Sequence, residues 1–374
     1  MNALPVWFEG DGRVRCEAEG RVLFDDSAEH WREALLRLMR WTPEQCRSFV
    51  EEGISAAGGP AAWAAAGTEA RLKAMAHAAA TLSPEPAASA SWGDQDLVGL
   101  EALGVPLSRF WTRALAGDAK LALAGTEAPA HGVLISRAGG SVHAATSPAY
   151  EEEYFEGSQD GYGYGKLREQ SGWRLEKSAR QARQLRAMLD FFGALPAGRA
   201  VRLLDVGSGY GFLRAAAGDL GWYHEGVELS RHASAAAKGM FGFESFQGTL
   251  EAHGSRGFDC IAMMDLVEHV ADPMTLLEQA AQRLVPGGLC VIRTPNLMAA
   301  EREVFGHRYH SLKAEHLHCF SPESLSGAFA GGGLEPVFCV SESHLFRGLL
   351  GQGTAILART LRGSDLLAAG QMPR

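Results

Sequence analysis

The chain has 374 residues, 46% of them hydrophobic, with a formal net charge of −9 and six cysteines. That length allows a large core and suggests two domains, while the acidic balance argues against a general nucleic-acid binder. The cysteines at 16, 46, 260, 290, 319 and 339 form no Cys-x-x-Cys pair, and no stretch is long or apolar enough for a bilayer span. A reduced, cytoplasmic protein without membrane insertion is therefore expected.

Val14, Cys16 and Ala18, then Val22 and Phe24, alternate on either side of Glu19-Gly20 and predict a hairpin. Ser27 is a candidate cap for a helix carrying Trp31, Leu35, Leu38 and Met39. Thr42-Pro43-Glu44-Gln45 has the capping-box pattern with proline at the first helical position, and Gly53 is the expected stop. An alanine-rich helix over about 60–80 follows, then a loop at Ser83-Pro84-Glu85-Pro86, more helix near 95–124, and two short strands near 132–136 and 141–145. Residues 1–145 carry no catalytic constellation and read as an α+β accessory or dimerisation domain.

Tyr150, Tyr154, Phe155, Tyr162 and Tyr164 crowd into fifteen residues, interleaved with Gly157, Gly161 and Gly163 and followed by Gly165. Residues 146–176 therefore read either as an aromatic lid over a ligand or as an interdomain linker whose rings pack on the next domain. An amphipathic helix over 177–192 places Ala182, Leu185, Leu189 and Phe192 on one side. Its Lys177, Arg180, Arg183 and Arg186 read most simply as a solvated face.

Residues 201–206 are a short apolar run interrupted by Asp205, the pattern of a buried parallel strand. The turn that follows has glycines at 207, 209 and 211, with Ser208 between the first two. Such a turn lets the backbone bend sharply and a ligand approach closely. A dinucleotide fingerprint requires a small residue where Phe212 stands, so the spacing argues against nicotinamide chemistry. An acid followed by Gly-x-Gly-x-Gly resembles motif I of the class I S-adenosylmethionine-dependent methyltransferases. The next expected strand, Tyr223 to Val227, ends at Glu228, 21 residues past Gly207, where a carboxylate can accept bonds from both ribose hydroxyls. That spacing alone also suits a nicotinamide dinucleotide. After a helix near 231–240 and a strand near 243–247, the resemblance implies that Thr249 and Leu250 flank the adenine. It makes Leu229, beside Glu228, a further cofactor candidate.

Residues 258–264 predict a second buried strand, followed by Asp265-Leu266-Val267-Glu268-His269-Val270-Ala271-Asp272-Pro273. Asp272 is positioned to cap a helix with Pro273 first, Leu276, Leu277, Ala280, Ala281 and Leu284 give its apolar stripe, and Pro286-Gly287-Gly288 ends it. This run resembles the same region of ubiquinone-biosynthesis-type O-methyltransferases. By that resemblance Asp265 and Leu266 join the cofactor set. Asp265, Glu268 and His269 share a face if the segment is helical. Three roles compete for the trio: a structural one, acceptor deprotonation with His269 as base, and a divalent ion beside acceptor oxygens, although three mixed ligands give no metal preference. No metal is assigned.

His307-Arg308-Tyr309-His310 and Glu315-His316-Leu317-His318 follow the fifth strand, and no zinc-site spacing fits them. At least one of His310, His316 and His318 is a candidate to face the acceptor, and His316 joins Asp265, Glu268 and His269 in the catalytic set. Ser321-Pro322 starts a helix, and residues 366–369 are expected to supply a final antiparallel strand. The resemblance covers about 150–374, and it implies a seven-stranded doubly wound α/β domain over 177–374 behind the smaller N-terminal domain. It further implies S-adenosyl-L-methionine as cofactor and methyl transfer to a small-molecule acceptor, most readily to oxygen. A dinucleotide oxidoreductase and a non-catalytic cofactor-binding scaffold are the alternatives. A homodimer remains open.

Overall fold

In the computed structural model, which describes residues 6–8, 14–18, 21–26, 41–82, 121–125, 132–136, 141–143, 152–156, 171–305, 309, 311, 316–342 and 361–374, the N-terminal region begins with an antiparallel sheet. Its strands are β1 (Val6–Phe8), β2 (Val14–Ala18) and β3 (Arg21–Asp26), and β2 and β3 form the expected hairpin. Three helices follow: α1 (Pro43–Ala56), α2 (Pro60–Ala65) and α3 (Thr68–Leu82). Thr42 caps α1 through the reciprocal Thr42–Gln45 box. Gly53 does not end α1. It sits inside the helix, and the chain turns instead at Gly58 and Gly59, both at positive φ. The alanine-rich stretch divides into α2 and α3 at Ala66-Gly67. The end of the helix expected near 95–124 is instead strand β4 (Leu121–Gly125), which pairs with β5 (Gly132–Ser136) and through it β6 (Ser141–His143). The readings at Ser27–Met39, Ser83–Pro86 and most of 95–124 lie outside the described residues.

A one-turn helix α4 (Glu152–Glu156) precedes the long α5 (Ser171–Phe191), which starts six residues before its expected position. Then come β7 (Arg202–Val206), α6 (Phe212–Asp219), β8 (Tyr223–Glu228), α7 (Arg231–Phe241), β9 (Phe246–Gln247) and β10 (Phe258–Met264). The chain ends with α8 (Pro273–Ala281), β11 (Leu284–Pro295), α9 (Ala300–Phe305), β12 (His318–Cys319), α10 (Pro322–Gly331), β13 (Glu335–Glu342) and β14 (Asp365–Gln371).

Seven strands form one sheet in the order β13-β14-β11-β10-β7-β8-β9. The five from β11 to β9 run parallel, and β14 is antiparallel to both neighbours. Strand alternation supplies both faces of the core. Leu204, Val206, Ile261, Met263, Cys290 and Ile292 pack under α8 and α10, while Leu203, Cys260, Ala262, Leu289 and Val291 pack under α5 and α6. Pro286-Gly287-Gly288 lies within β11 and does not end the preceding helix, which stops at Ala281. The register shifts there, from Phe258↔Leu284 to Cys260↔Leu289, and a Cβ on Gly288 would meet the Phe258 carbonyl at 3.1 Å. The glycines thus let one strand bulge against its neighbour. Among the described residues no helix is long and apolar enough to cross a membrane.

Candidate functional site

The carboxyl ends of β7, β8 and β10 open on one cavity of about 620 Å³. Ligands of open parallel sheets lie at this edge, where the strand connections diverge. The β7–α6 turn forms its floor. The Gly207 and Ser208 amides both donate to the Val227 carbonyl, at 2.9 and 3.1 Å, which ties the turn to β8. Gly207, Gly209 and Gly211 all have positive φ. A Cβ on Gly207 would strike Leu266 and one on Gly211 would strike Phe243, whereas one on Gly209 would meet nothing within 4 Å. The turn is therefore packed at its ends and open at its middle, the shape that lets a ligand lie against backbone. The Ser208 side chain turns away to Ser245.

Glu228, at the end of β8, spans the turn. One of its oxygens accepts from the Gly209 amide at 2.7 Å and the other from the Ser230 amide at 2.8 Å. Burial raises its pKa, and the two amides oppose that rise. Asp205 is only 3% exposed and lines the cavity with no hydrogen-bond partner among the described residues. Burial pushes its pKa up to about 7, with the Glu228 charge adding and Arg214 opposing. A buried carboxyl facing a cavity without a donor calls for one from a ligand. Leu229 stands exposed at the rim, while Thr249, Leu250 and Leu266 complete the wall around this corner. A ligand with donor groups, a ribose diol and an apolar body fits this lining.

Asp265, the first residue after β10, has φ +56, outside the helical range, so the helix that would align it with Glu268 and His269 does not form. Only a 3₁₀ turn over Val267–His269 follows, and Asp265 lines the cavity beside Leu266. Its carboxylate receives the Arg293 guanidinium at 3.1 Å and the Lys177 ammonium at 3.4 Å. Burial works to raise its pKa, but those two cations hold it well below the usual carboxylate range. Lys177 leaves the solvated face assigned to it. It lines the cavity, and burial together with Arg293 lowers its pKa to about 8. Arg180, Arg183 and Arg186 are exposed. Helical spacing alone could not separate Lys177 from them; its position at the first turn of the 177–192 reading hid that it faces the sheet edge.

Glu268 turns inward, where it accepts from the Thr294 hydroxyl at 2.9 Å; burial and the Asp265 charge raise its pKa. His269 lines the cavity, and its ring meets the His316 ring edge-on at a centroid distance of 4.8 Å. His316 Nδ1 bonds the Ser311 carbonyl at 2.7 Å. Glu268, His269 and His316 thereby bring one ligand-type atom each within 4.8 Å of one another. The fold thus gathers three of the four catalytic candidates, while Asp265, which lines the same cavity, is engaged by Arg293 and Lys177. His318 instead bonds the Ala271 carbonyl, and burial lowers its pKa to about 4. His310 lies outside the described residues.

From the aromatic segment, Tyr154 and Phe155 line the cavity mouth and pack with Tyr210, Phe212 and Ala233. The Tyr210 hydroxyl donates to Glu156 and shares a 2.7 Å bond with His232 Nε2. Residues 157–170 lie outside the description.

Residues 177–337 match the family described as "Methyltransferase domain". The ubiquinone biosynthesis O-methyltransferase of Caulobacter sp. (strain K31) is 36% identical over 104 residues, which are 26% of this chain and 41% of that protein. The enzyme of the same name from Parvibaculum lavamentivorans is 34% identical over 125 residues, 31% of this chain and 47% of that protein. The chain thus spans less than half the length of these curated relatives. Among solved structures, an S-adenosylmethionine-dependent methyltransferase from Mesorhizobium loti is similar at TM-score 0.38 and 21% identity, covering 53% of this chain and 99% of that one. Another from Archaeoglobus fulgidus is similar at TM-score 0.37 and 17% identity, covering 51% and 94%. Residues 177–337 thus match a methyltransferase domain, and the motif I turn, the Glu228 carboxylate and the seven-stranded order accompany that match.

Proposed function

We propose that this chain transfers a methyl group from S-adenosylmethionine to an oxygen of a small-molecule acceptor. The observation that carries the reading is the single cavity joining the Asp205–Glu228 corner to His269. Asp205, Gly209, Glu228, Leu229, Thr249, Leu250 and Leu266 would hold the cofactor, with Gly207 and Ser208 shaping the turn beneath it. When bound, the cofactor supplies an electrophilic methyl on a sulfonium sulfur. The protein's main contribution is then alignment, since in-line geometry supplies much of the rate. His269 receives the proton of the acceptor hydroxyl at a ring nitrogen, and His316 and Glu268 orient that ring. Tyr154 and Phe155 act as a lid that excludes water from the cavity mouth. Oxygen as the acceptor atom is supported by the O-methyltransferase names of the relatives. The net charge of −9 favours a small molecule met in the cytoplasm over nucleic acid.

A divalent ion held by Glu268, His269 and His316 is the second mechanistic reading, favoured by the close approach of their donor atoms. One set of assays tests both. Purified protein is incubated with methyl-tritiated cofactor and a panel of simple phenols and catechols, before and after chelator treatment. Label transfer that survives chelation supports His269 as base, and transfer abolished by chelator and restored by magnesium or zinc supports the ion. S-adenosylhomocysteine binding with no transfer to the panel or to a cell extract would leave only a scaffold.

A further inference from the structure

We infer that the N-terminal region positions His316 against His269, by gripping from two sides the segment that leaves β11 and returns at α10. The inference rests on the methyl-transfer reading only in taking this side of the cavity as the acceptor side. Residues 296–320 make the excursion, and His316 stands near its end, two residues before β12.

The first grip is apolar. Trp41 and Phe49, at and within α1, meet Phe305 of α9 with ring centroids 5.9 Å away in each case, and all three are buried. Arg362 reinforces it, pairing at 2.5 Å both with Glu69 of α3 and with Glu303 of α9. The second grip is backbone pairing. β12 adds to β6 in the antiparallel register His318↔Val142 and Cys319↔Ser141, extending the β4–β6 sheet to four strands. His316 therefore lies between an anchored helix and an anchored strand, both held by residues preceding 145.

The cofactor corner has no such dependence. The Asp205 to Glu228 framework is tied by bonds within 205–245, as in the Val227 carbonyl contacts and the Glu228 amide bonds. Loosening either grip should move His316 and leave cofactor affinity in place. A dimerisation role alone predicts unchanged affinity but no movement of His316.

The test uses the full chain carrying Trp41→Ala or Val142→Pro, with nitrogen-15 labelled histidine. The His269 and His316 ring signals are assigned from His269→Gln and His316→Gln. In the wild type the two rings should show a through-space contact. Each grip variant should lose or weaken it and shift the His316 signal, while S-adenosylhomocysteine affinity by calorimetry changes by less than about twofold, under ~0.5 kcal/mol. Arg362→Gln, which opens no cavity, should do the same more weakly and serves if the other two fail to fold. Histidine signals that overlay the wild type in the variants would overturn the inference, as would cofactor affinity falling in step with the signal change. The ring contact is read without turnover, so a failure of the methyl-transfer reading shows separately, as absence of label transfer by a wild type whose rings do make the contact.

Discussion

Glu228 accepts one amide hydrogen on each carboxylate oxygen, so it holds the glycine turn as well as facing the cavity. Hydrogen bonds to a charged group contribute roughly 1.5–3 kcal/mol each. Glu228→Ala should therefore weaken S-adenosylhomocysteine binding at least ~10-fold and also lower the melting temperature, which a side chain touching only ligand would not do. Calorimetry and thermal melts check the two halves separately, and unchanged affinity would remove Glu228 from the cofactor site. Asp205 makes the opposite demand on pH. Its folded pKa, about 7, lies above the unfolded carboxylate value, so ionising it costs stability. Between about pH 4 and 7 the folded state binds more protons than the unfolded one, and stability contributed by this group falls as pH rises. Asp205→Asn should accordingly raise the melting temperature of the ligand-free protein by a few degrees at pH 8, and the gain should shrink as pH falls toward 4. A gain that grows toward low pH would contradict the burial argument.

At the scale of elements, the β7–α6 turn separates shape from packing. Gly211→Ala puts a Cβ into the Phe243 ring at positive φ and should cost the fold several degrees. Gly209→Ala carries only the backbone cost, about 1 kcal/mol, because nothing stands within 4 Å; its loss should appear in cofactor affinity. Equal melting temperatures with equal affinities in the two variants would refute this division. The same turn explains what the sequence made legible. Glycines at 207, 209 and 211 and an acid at 228 are local requirements of backbone shape, so they could be read without coordinates. The left-handed conformation of Asp265 could not, since aspartate carries no mark of it, and the face it was expected to share with Glu268 and His269 dissolved there. Gly53 misled for the converse reason: a glycine is compatible with a helix interior as well as with its end, and here α1 runs through it. The Glu268–His269–His316 approach joins residues 48 apart, a distance that only the return of the chain after α9 closes.

At the scale of the molecule, Phe305 is the junction. Phe305→Ala removes a buried ring that touches Trp41 and Phe49 as well as its own segment. Loss of such a ring typically costs ~3–5 kcal/mol. Thermal melts followed by tryptophan fluorescence should show an earlier transition. An unchanged melting temperature would mean that the contact contributes little. A chain beginning at residue 147 should still bind S-adenosylhomocysteine, because every bond described around Glu228 lies beyond that point.

The place of β14 between β11 and β13 has a consequence for biosynthesis. The sheet's interior is completed by residues 365–371, which follow the sheet's other six strands in the chain. Until they emerge, β11 has a partner on one side only, and β13 has no neighbour to join. The 76 residues from 296 to 371 take roughly 4–15 s to synthesise at the usual ~5–20 residues per second. For that interval a long apolar strand, Leu289 through Ile292, presents an unpaired edge of the kind that recruits other chains. The edge of β11 is therefore protected only once the chain has reached β14.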